Sequence, residues 1–367
     1  ILPHKFLIAD FGNSIRNLLL EKRAISKIIS FGHELIFEDA TTYTCLFTLT
    51  KLQNTYLKYI ELSSLSLNDK INYQNIEYEY LEKDKPFHLT DKKTFQFLSK
   101  LNLQPNRIEH YLSNIFSGIQ TSADKIYILT GQIKDSLFTG YSKIDNKEYT
   151  LEKNIMIPII KGDNIKRYSS ISTNTYVLFP YLFENNEAKP MDEDYLANKY
   201  PKAFQYLKLN EKELRQRENG KMDVDGKWFL YNYPKNLFSS NQYKFVSPDI
   251  TYGMNVTIEP GNFCLKNGAY GITIKKEYHR QEKLILALLN SKLLWFYLQE
   301  TGNVLRGGYF RFNTKYINPF PVPDLVNIDS TEINSAVDSI LKLKEENSTA
   351  DTSELENQID QLVYQLY

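Results

Sequence analysis

The sequence predicts a mixed fold: α/β at the start, then α+β with a β-rich body, closed by helices. Three observations predict it. Residues 1 to 60 read as strand, helix, strand, strand. Between 117 and 325 the chain breaks into short apolar and β-branched segments punctuated by Gly and Asn. Leu355, Ile359, Leu362 and Leu366 then recur at helical spacing within a helical tail over 329 to 367.

The 367 residues suffice for two or three domains with their own cores. Hydrophobic residues at 42% and charged residues at 24% exclude a disordered chain. No apolar run reaches the length of a membrane span, and no basic region followed by an apolar core opens the chain. Cys45 and Cys264 lie among apolar neighbours and read as reduced core thiols of a cytoplasmic protein. No Cys or His pair has zinc-ligand spacing, the five histidines are scattered, and no metal site is expected. The chain opens on Ile1 without a Met, and we read it as part of a longer protein.

Net charge is zero, but unevenly spread. Residues 201 to 320 carry 18 Lys and Arg against 10 Asp and Glu, a net of +8; residues 321 to 367 carry 2 against 10, a net of −8. A basic middle and acidic tail fit a polyanion-facing body followed by a solvated helix, although chance segregation of surface charge gives the same numbers.

Taken in order, Ile1 to Pro3 reads as a strand end. Phe11 to Lys22 reads as a helix with Ile15, Leu18 and Leu19 on its buried face. Ile25 to Phe31 and Thr42 to Thr50 read as strands, the end of a sheet whose beginning lies upstream. A connector follows from 61 to 116, with a loop at 63 to 69, a strand at Tyr73 to Tyr80 and a helix at Thr94 to Leu101. Gly118 and Gly162 read as bends beside strands at Ile126 to Leu129 and Met156 to Ile160. Thr175 to Pro180 reads as a strand and Tyr195 to Arg217 as helical. Asn241 to Val246, Thr251 to Ile258, Phe263 and Gly271 to Lys275 read as strands, and Leu284 to Tyr297 as one helix.

Several stretches together carry a resemblance. Ile15-Arg16-Asn17-Leu18-Leu19, Ile28 to Gly32 and Phe37-Glu38-Asp39-Ala40-Thr41-Thr42-Tyr43-Thr44 come first. Ser117-Gly118-Ile119-Gln120-Thr121-Ser122-Ala123-Asp124-Lys125 and Lys161-Gly162-Asp163-Asn164-Ile165-Lys166-Arg167-Tyr168 follow. Next are Trp228-Phe229 with Tyr233-Pro234, then Asn290-Ser291-Lys292, Asn318 to Pro323 and the closing helix. In this order they resemble the C-terminal part of a gamma-class N6-adenine DNA methyltransferase of the Taq type. The target-recognition domain of that family also occurs in type IIG restriction–modification enzymes.

The resemblance implies that residues 1 to 60 close a Rossmann-like methyltransferase sheet. It makes 117 to 325 a target-recognition domain and 326 to 367 C-terminal helices. Phe37 would stack on an adenine rotated out of the duplex; the residues alone favour a core Phe at a strand entrance. The chain has neither the family's Asn-Pro-Pro-aromatic tetrapeptide nor a Gly-rich cofactor loop near its start. It therefore implies no catalytic residue and no cofactor here. S-adenosylmethionine would belong to the parent protein's missing N-terminal catalytic region, and Mg2+ would enter only with a fused nuclease. A DNA-binding specificity subunit without catalysis and a protein-interaction module remain alternatives.

For double-stranded DNA as partner, affinity needs cations at phosphates and specificity needs planar donors at base edges. Arg306 and Arg311, on a glycine loop among aromatics, are the foremost base-reading candidates. Lys161, Lys166 and Arg167 come next, with Lys125 and Lys292 as further cations and Thr121, Ser122 and Asp124 as polar contacts. Trp228 and Tyr231 lie beside basic residues and could stack on bases. Arg215, Arg217 and Lys221 read as a solvated helix end.

Overall fold

A computed structural model describes residues 1–37, 39, 42–62 and 72–367. Glu38, Ala40 and Thr41, and the loop expected at 63 to 69, lie outside the described residues. The fold is mixed α and β, built from several sheets and their covering helices.

The first sheet orders its strands Leu2–Pro3, Thr44–Leu49, Ile25–Ser30, Tyr56–Glu61 and Gln74–Glu77. Ile25–Ser30 and Tyr56–Glu61 run parallel, with Ser30 opposite Glu61; the other neighbours run antiparallel. The helix Asn13–Lys22 forms where a helix was expected, and Leu19 is buried as expected, but the rest of the apolar face is not. Ile15 and Leu18 are 43% and 51% exposed, whereas Arg16 is 2% exposed. The Arg16 guanidinium donates to the carbonyls of Phe6 and Ala9, each at 2.6 Å, and of Lys85 at 2.9 Å. A buried cation with three carbonyl acceptors satisfies its polar groups, which the apolar-face rule does not anticipate.

Two cores follow. A four-stranded sheet orders Thr257–Glu259, Lys244–Pro248, Ala269–Ile274 and Leu112–Ser117. Phe245, Ile272 and Leu112 share one apolar cluster with Leu286, Val337, Ile359 and Val363 of the helices Glu282–Asn290, Thr331–Glu346 and Ser353–Gln365. The tail's apolar seam therefore packs within the chain. A boundary drawn between 116 and 117 falls inside the strand Leu112–Ser117. The second core lies under a six-stranded sheet ordered Lys147–Glu152, Leu137–Ser142, Ile128–Lys134, Thr175–Leu178, Met156–Ile160 and Cys264–Leu265. Helices Glu193–Lys199 and Pro201–Leu209 cover it through Leu196, Ala203 and Leu207. Cys45 and Cys264 are free and buried, and burial pushes their thiols up to about 11 and about 12.

Four elements differ from expectation. Residues Asp124–Tyr127 form a short helix, and the strand begins only at Ile128. The stretch expected as a strand over 251 to 258 is interrupted: Ile250–Thr251 and Thr257–Glu259 belong to different sheets, with Gly253 in the left-handed region between them. Tyr195 to Arg217 divides into successive helices, ending in Glu211–Gly220. The helix expected over 284 to 297 is two, Glu282–Asn290 and Lys292–Thr301, because Ser291 is extended and its hydroxyl accepts from the Leu294 N–H at 3.1 Å, capping the second. Among the described residues no helix is long and apolar enough to cross a membrane, and no group of His, Cys, Asp or Glu could hold a metal ion.

Candidate nucleic-acid interface

The loops 118–124, 161–164 and 266–268 converge because their backbones meet. Ile119 bridges Lys266, and the Lys266 N–H donates to the Ile160 carbonyl at 2.8 Å. A Cβ on Gly118 would lie 2.3 Å from the Lys266 carbonyl oxygen, and one on Gly162 3.0 Å from that of Gly268. Neither glycine has a positive φ. Close approach requires a glycine at 118 and leaves little room at 162, rather than the bends expected of them. Thr121 is buried; its hydroxyl donates to Asp124 Oδ1 at 2.6 Å and accepts from the Ala123 N–H at 3.1 Å. Asp124 Oδ2 pairs with Lys266 Nζ at 2.8 Å. Lys161 pairs with Asp163 at 2.6 Å, both largely exposed.

The hairpin of Val304–Leu305 and Tyr309–Arg311 joins this region through Ile250–Thr251, with Arg311 opposite Ile250 and Phe310 opposite Thr251. Its turn is Arg306-Gly307-Gly308, both glycines in the left-handed region. Arg311 Nη1 pairs with Asp249 Oδ2 at 3.0 Å. Arg306 is exposed and has no ion pair or hydrogen bond among the described residues. Lys161, Asp163, Asp249, Tyr252, Asn255, Lys266, Asn267 and Tyr309 line one concavity of about 500 Å³. Exposed cations, amides and two aromatic rings around one open depression can meet phosphates at the rim and base edges within it.

A family model for the TaqI-like C-terminal specificity domain matches residues 157–322, which contain this depression. Over residues 157–322 the chain is similar to TaqI-like specificity domains. The chain is 27% identical over 360 residues to the type II restriction enzyme and methyltransferase RM.Eco57I of Escherichia coli, covering 92% of this chain and 36% of that protein. It is 21% identical over 401 residues to the type II methyltransferase M.BanIII of Aneurinibacillus aneurinilyticus, covering 99% of this chain and 66% of that protein. The chain thus spans about a third and about two thirds of these relatives. A solved structure of the type IIL restriction–modification enzyme MmeI in complex with DNA shares the fold, with TM-score 0.60 at 13% identity over 100% of this chain and 46% of that one.

The fold brings Thr121, Asp124, Lys161, Arg306 and Arg311 to one region, and holds other sequence-predicted contacts elsewhere. Trp228 is 0% exposed, between Lys208 Nζ at 4.8 Å and Arg215 at 5.8 Å from its ring centre, and its indole donates to Glu193. Tyr231 is buried and its hydroxyl donates to the Leu178 carbonyl at 2.6 Å. Cations beside these aromatics serve the core, and neither ring offers a face to a base. Arg167 donates to the Asn290 carbonyl at 2.6 Å and pairs with Glu356 at 3.0 Å. Lys292 donates to Asn357 at 2.6 Å and pairs with Asp360 at 3.2 Å. Both tie the specificity domain to the helix Ser353–Gln365. Lys166 is exposed on a separate depression shared with Glu345 and Glu346.

Each position of the Asn290-Ser291-Lys292 motif has a partner within the chain. Asn290 Oδ1 accepts from the Val256 N–H and its Nδ2 donates to the Val256 carbonyl, each at 2.9 Å. Ser122 and Lys125 are exposed, Ser122 reaching Glu218 at 3.5 Å. Arg215 is engaged by Glu211, Asp223 and Asp225, and Arg217 is buried rather than solvated. Lys221 lies 4.9 Å from the Tyr233 ring centre. Phe37 is 44% exposed. Sequence reasoning missed Tyr252, Asn255, Lys266 and Asn267. Tyr252-Gly253 and Lys266-Asn267-Gly268 are turn signatures that the expected strand over 251 to 258 and the search for arginines obscured.

Proposed function

We propose that this chain is the DNA-recognising C-terminal portion of a site-specific adenine-N6 DNA methyltransferase, of the kind found in type IIG restriction–modification enzymes. Residues 117 to 325 choose the DNA site, 61 to 116 connect, and 326 to 367 brace the recognition region. Residues 1 to 60 close the methyltransferase sheet, where Phe37 stacks on the extruded adenine. The observation that carries the reading is the depression within the specificity domain, where Lys161, Lys266 and the Arg306–Arg311 hairpin converge.

The chain carries neither an Asn-Pro-Pro-aromatic tetrapeptide nor a Gly-rich loop near its start to hold S-adenosylmethionine. In this reading the cofactor belongs to the region of the parent that precedes the chain, and Mg2+ is required only if a nuclease is fused there. Duplex binding by the full-length protein tests the reading. Affinity should fall steeply and linearly on a log–log plot against salt. Absence of duplex binding at low salt contradicts it.

A further inference from the structure

Resting on that reading of the same depression, we propose that Tyr252 and Tyr309 form a preformed aromatic wedge that enters a base step of duplex DNA. Tyr252 is 66% exposed and Tyr309 43% exposed, and their ring centres lie 5.7 Å apart at 61°. Neither hydroxyl has a hydrogen-bond partner among the described residues, whereas Tyr127, Tyr206 and Tyr231 each have one. Two rings left in water at one tip forgo the burial that most aromatics here obtain.

The tip is held from behind. Trp295 lies 6.0 Å from Tyr252 and packs edge-on to the buried Phe310 at 5.3 Å. Thr251 pairs with Phe310 in the strand register, so the residues next to both tyrosines share one ladder. Gly253, Gly307 and Gly308 take left-handed conformations around the rings, and a Cβ at Gly308 would sit 3.5 Å from Tyr252. The contacts with Trp295 and Phe310 support the tip from the core side.

The chemistry around the rings points to the occupant. Lys161, Lys266 and Arg311 pair with Asp163, Asp124 and Asp249, whereas Arg306, on the hairpin of Tyr309, is exposed with no partner among the described residues. An apolar protein partner would have to desolvate all four cations, whereas a duplex supplies phosphate to Arg306 and π-faces to the tyrosines. Aromatic or apolar side chains set between base pairs unstack the step and kink the duplex.

The test uses the full-length protein and a duplex bearing its site, selected from a random pool, with 2-aminopurine placed in turn at each position. Wild type, Y252F and Y309F should brighten one step other than the methylated adenine. Y252A and Y309A should lose that signal and bind about ten- to a hundredfold more weakly, with unchanged circular dichroism. Alanine variants that bind and brighten like wild type overturn the wedge, as does a wild type that brightens no step beyond the target base. A wild type that binds no duplex overturns the DNA reading itself.

Discussion

Arg217 Nη1 donates to the backbone carbonyl of Thr121 at 3.0 Å, joining the end of one helix to a loop 96 residues earlier. The same guanidinium donates to the carbonyls of Leu214, Trp228 and Leu230 at 2.7 to 2.9 Å. It therefore fixes the 121–124 turn against the segment that carries Trp228. Arg217→Met should leave four buried carbonyls short of a donor and cost about 3 kcal/mol or more. Urea unfolding of the variant measures this, and a loss under about 0.5 kcal/mol would refute the clamp.

Lys244 and Glu259 form a wholly buried ion pair across adjacent strands. Glu259 Oε1 also accepts the backbone N–H groups of Gly261, Asn262 and Phe263. Burial lowers the Lys244 pKa, opposed by the Glu259 charge. Lys244→Met strands that carboxylate, and the expected cost is about 3–5 kcal/mol. Adding Glu259→Gln should recover part of it, since the amide oxygen still accepts from the loop. A double variant less stable than the single one contradicts this arrangement.

Arg167 and Lys292 should separate from Lys161, Lys266 and Arg306 in binding experiments. Arg167→Ala and Lys292→Ala remove ties to Glu356, Asn357 and Asp360, so they should loosen the C-terminal helix and leave the salt slope of duplex binding unchanged. Lys161→Ala, Lys266→Ala and Arg306→Ala should each reduce that slope by about one. The same slope change in both groups would mean that the C-terminal helix side also meets phosphate.

Glu300 lines the cleft shared by His88 and Glu61. Burial, with a smaller contribution from Asp91, raises its pKa above the usual 4.5. A folded-state pKa above the unfolded one favours the protonated form. Its stabilising contribution is complete below about 4.5 and is lost as pH rises through the folded value. Glu300→Gln should therefore raise the Tm at pH 7.5, and the gain should vanish near pH 4. A gain that persists unchanged at pH 4 would assign the effect to packing instead.

Much of the fold was legible where local pattern and burial agree. Met156–Ile160, Thr44–Leu49 and the closing helix follow apolar spacing that the packing honours. Two of the misreadings share a cause: polar side chains at work inside. Arg16 displaces Ile15 and Leu18 from the buried face because three carbonyls need its donors. Ser291 breaks an apolar helix with a cap that spacing alone does not reveal. In the candidate site, residue type separated poorly the cations that face solvent from those that hold the chain together. Arg306 and Arg167 look alike in sequence, but only Arg167 has a carboxylate and a carbonyl within reach. Lys266 and Tyr252 became visible only when strand pairing brought distant turns to one depression.

In the proposed function this chain chooses the DNA site for a methyltransferase. The most direct measurement is a map of N6-methyladenine across the source genome, with and without the gene that encodes the chain. One short sequence motif should lose its methylation on deletion. An unchanged map, with the gene shown to be expressed, would contradict it.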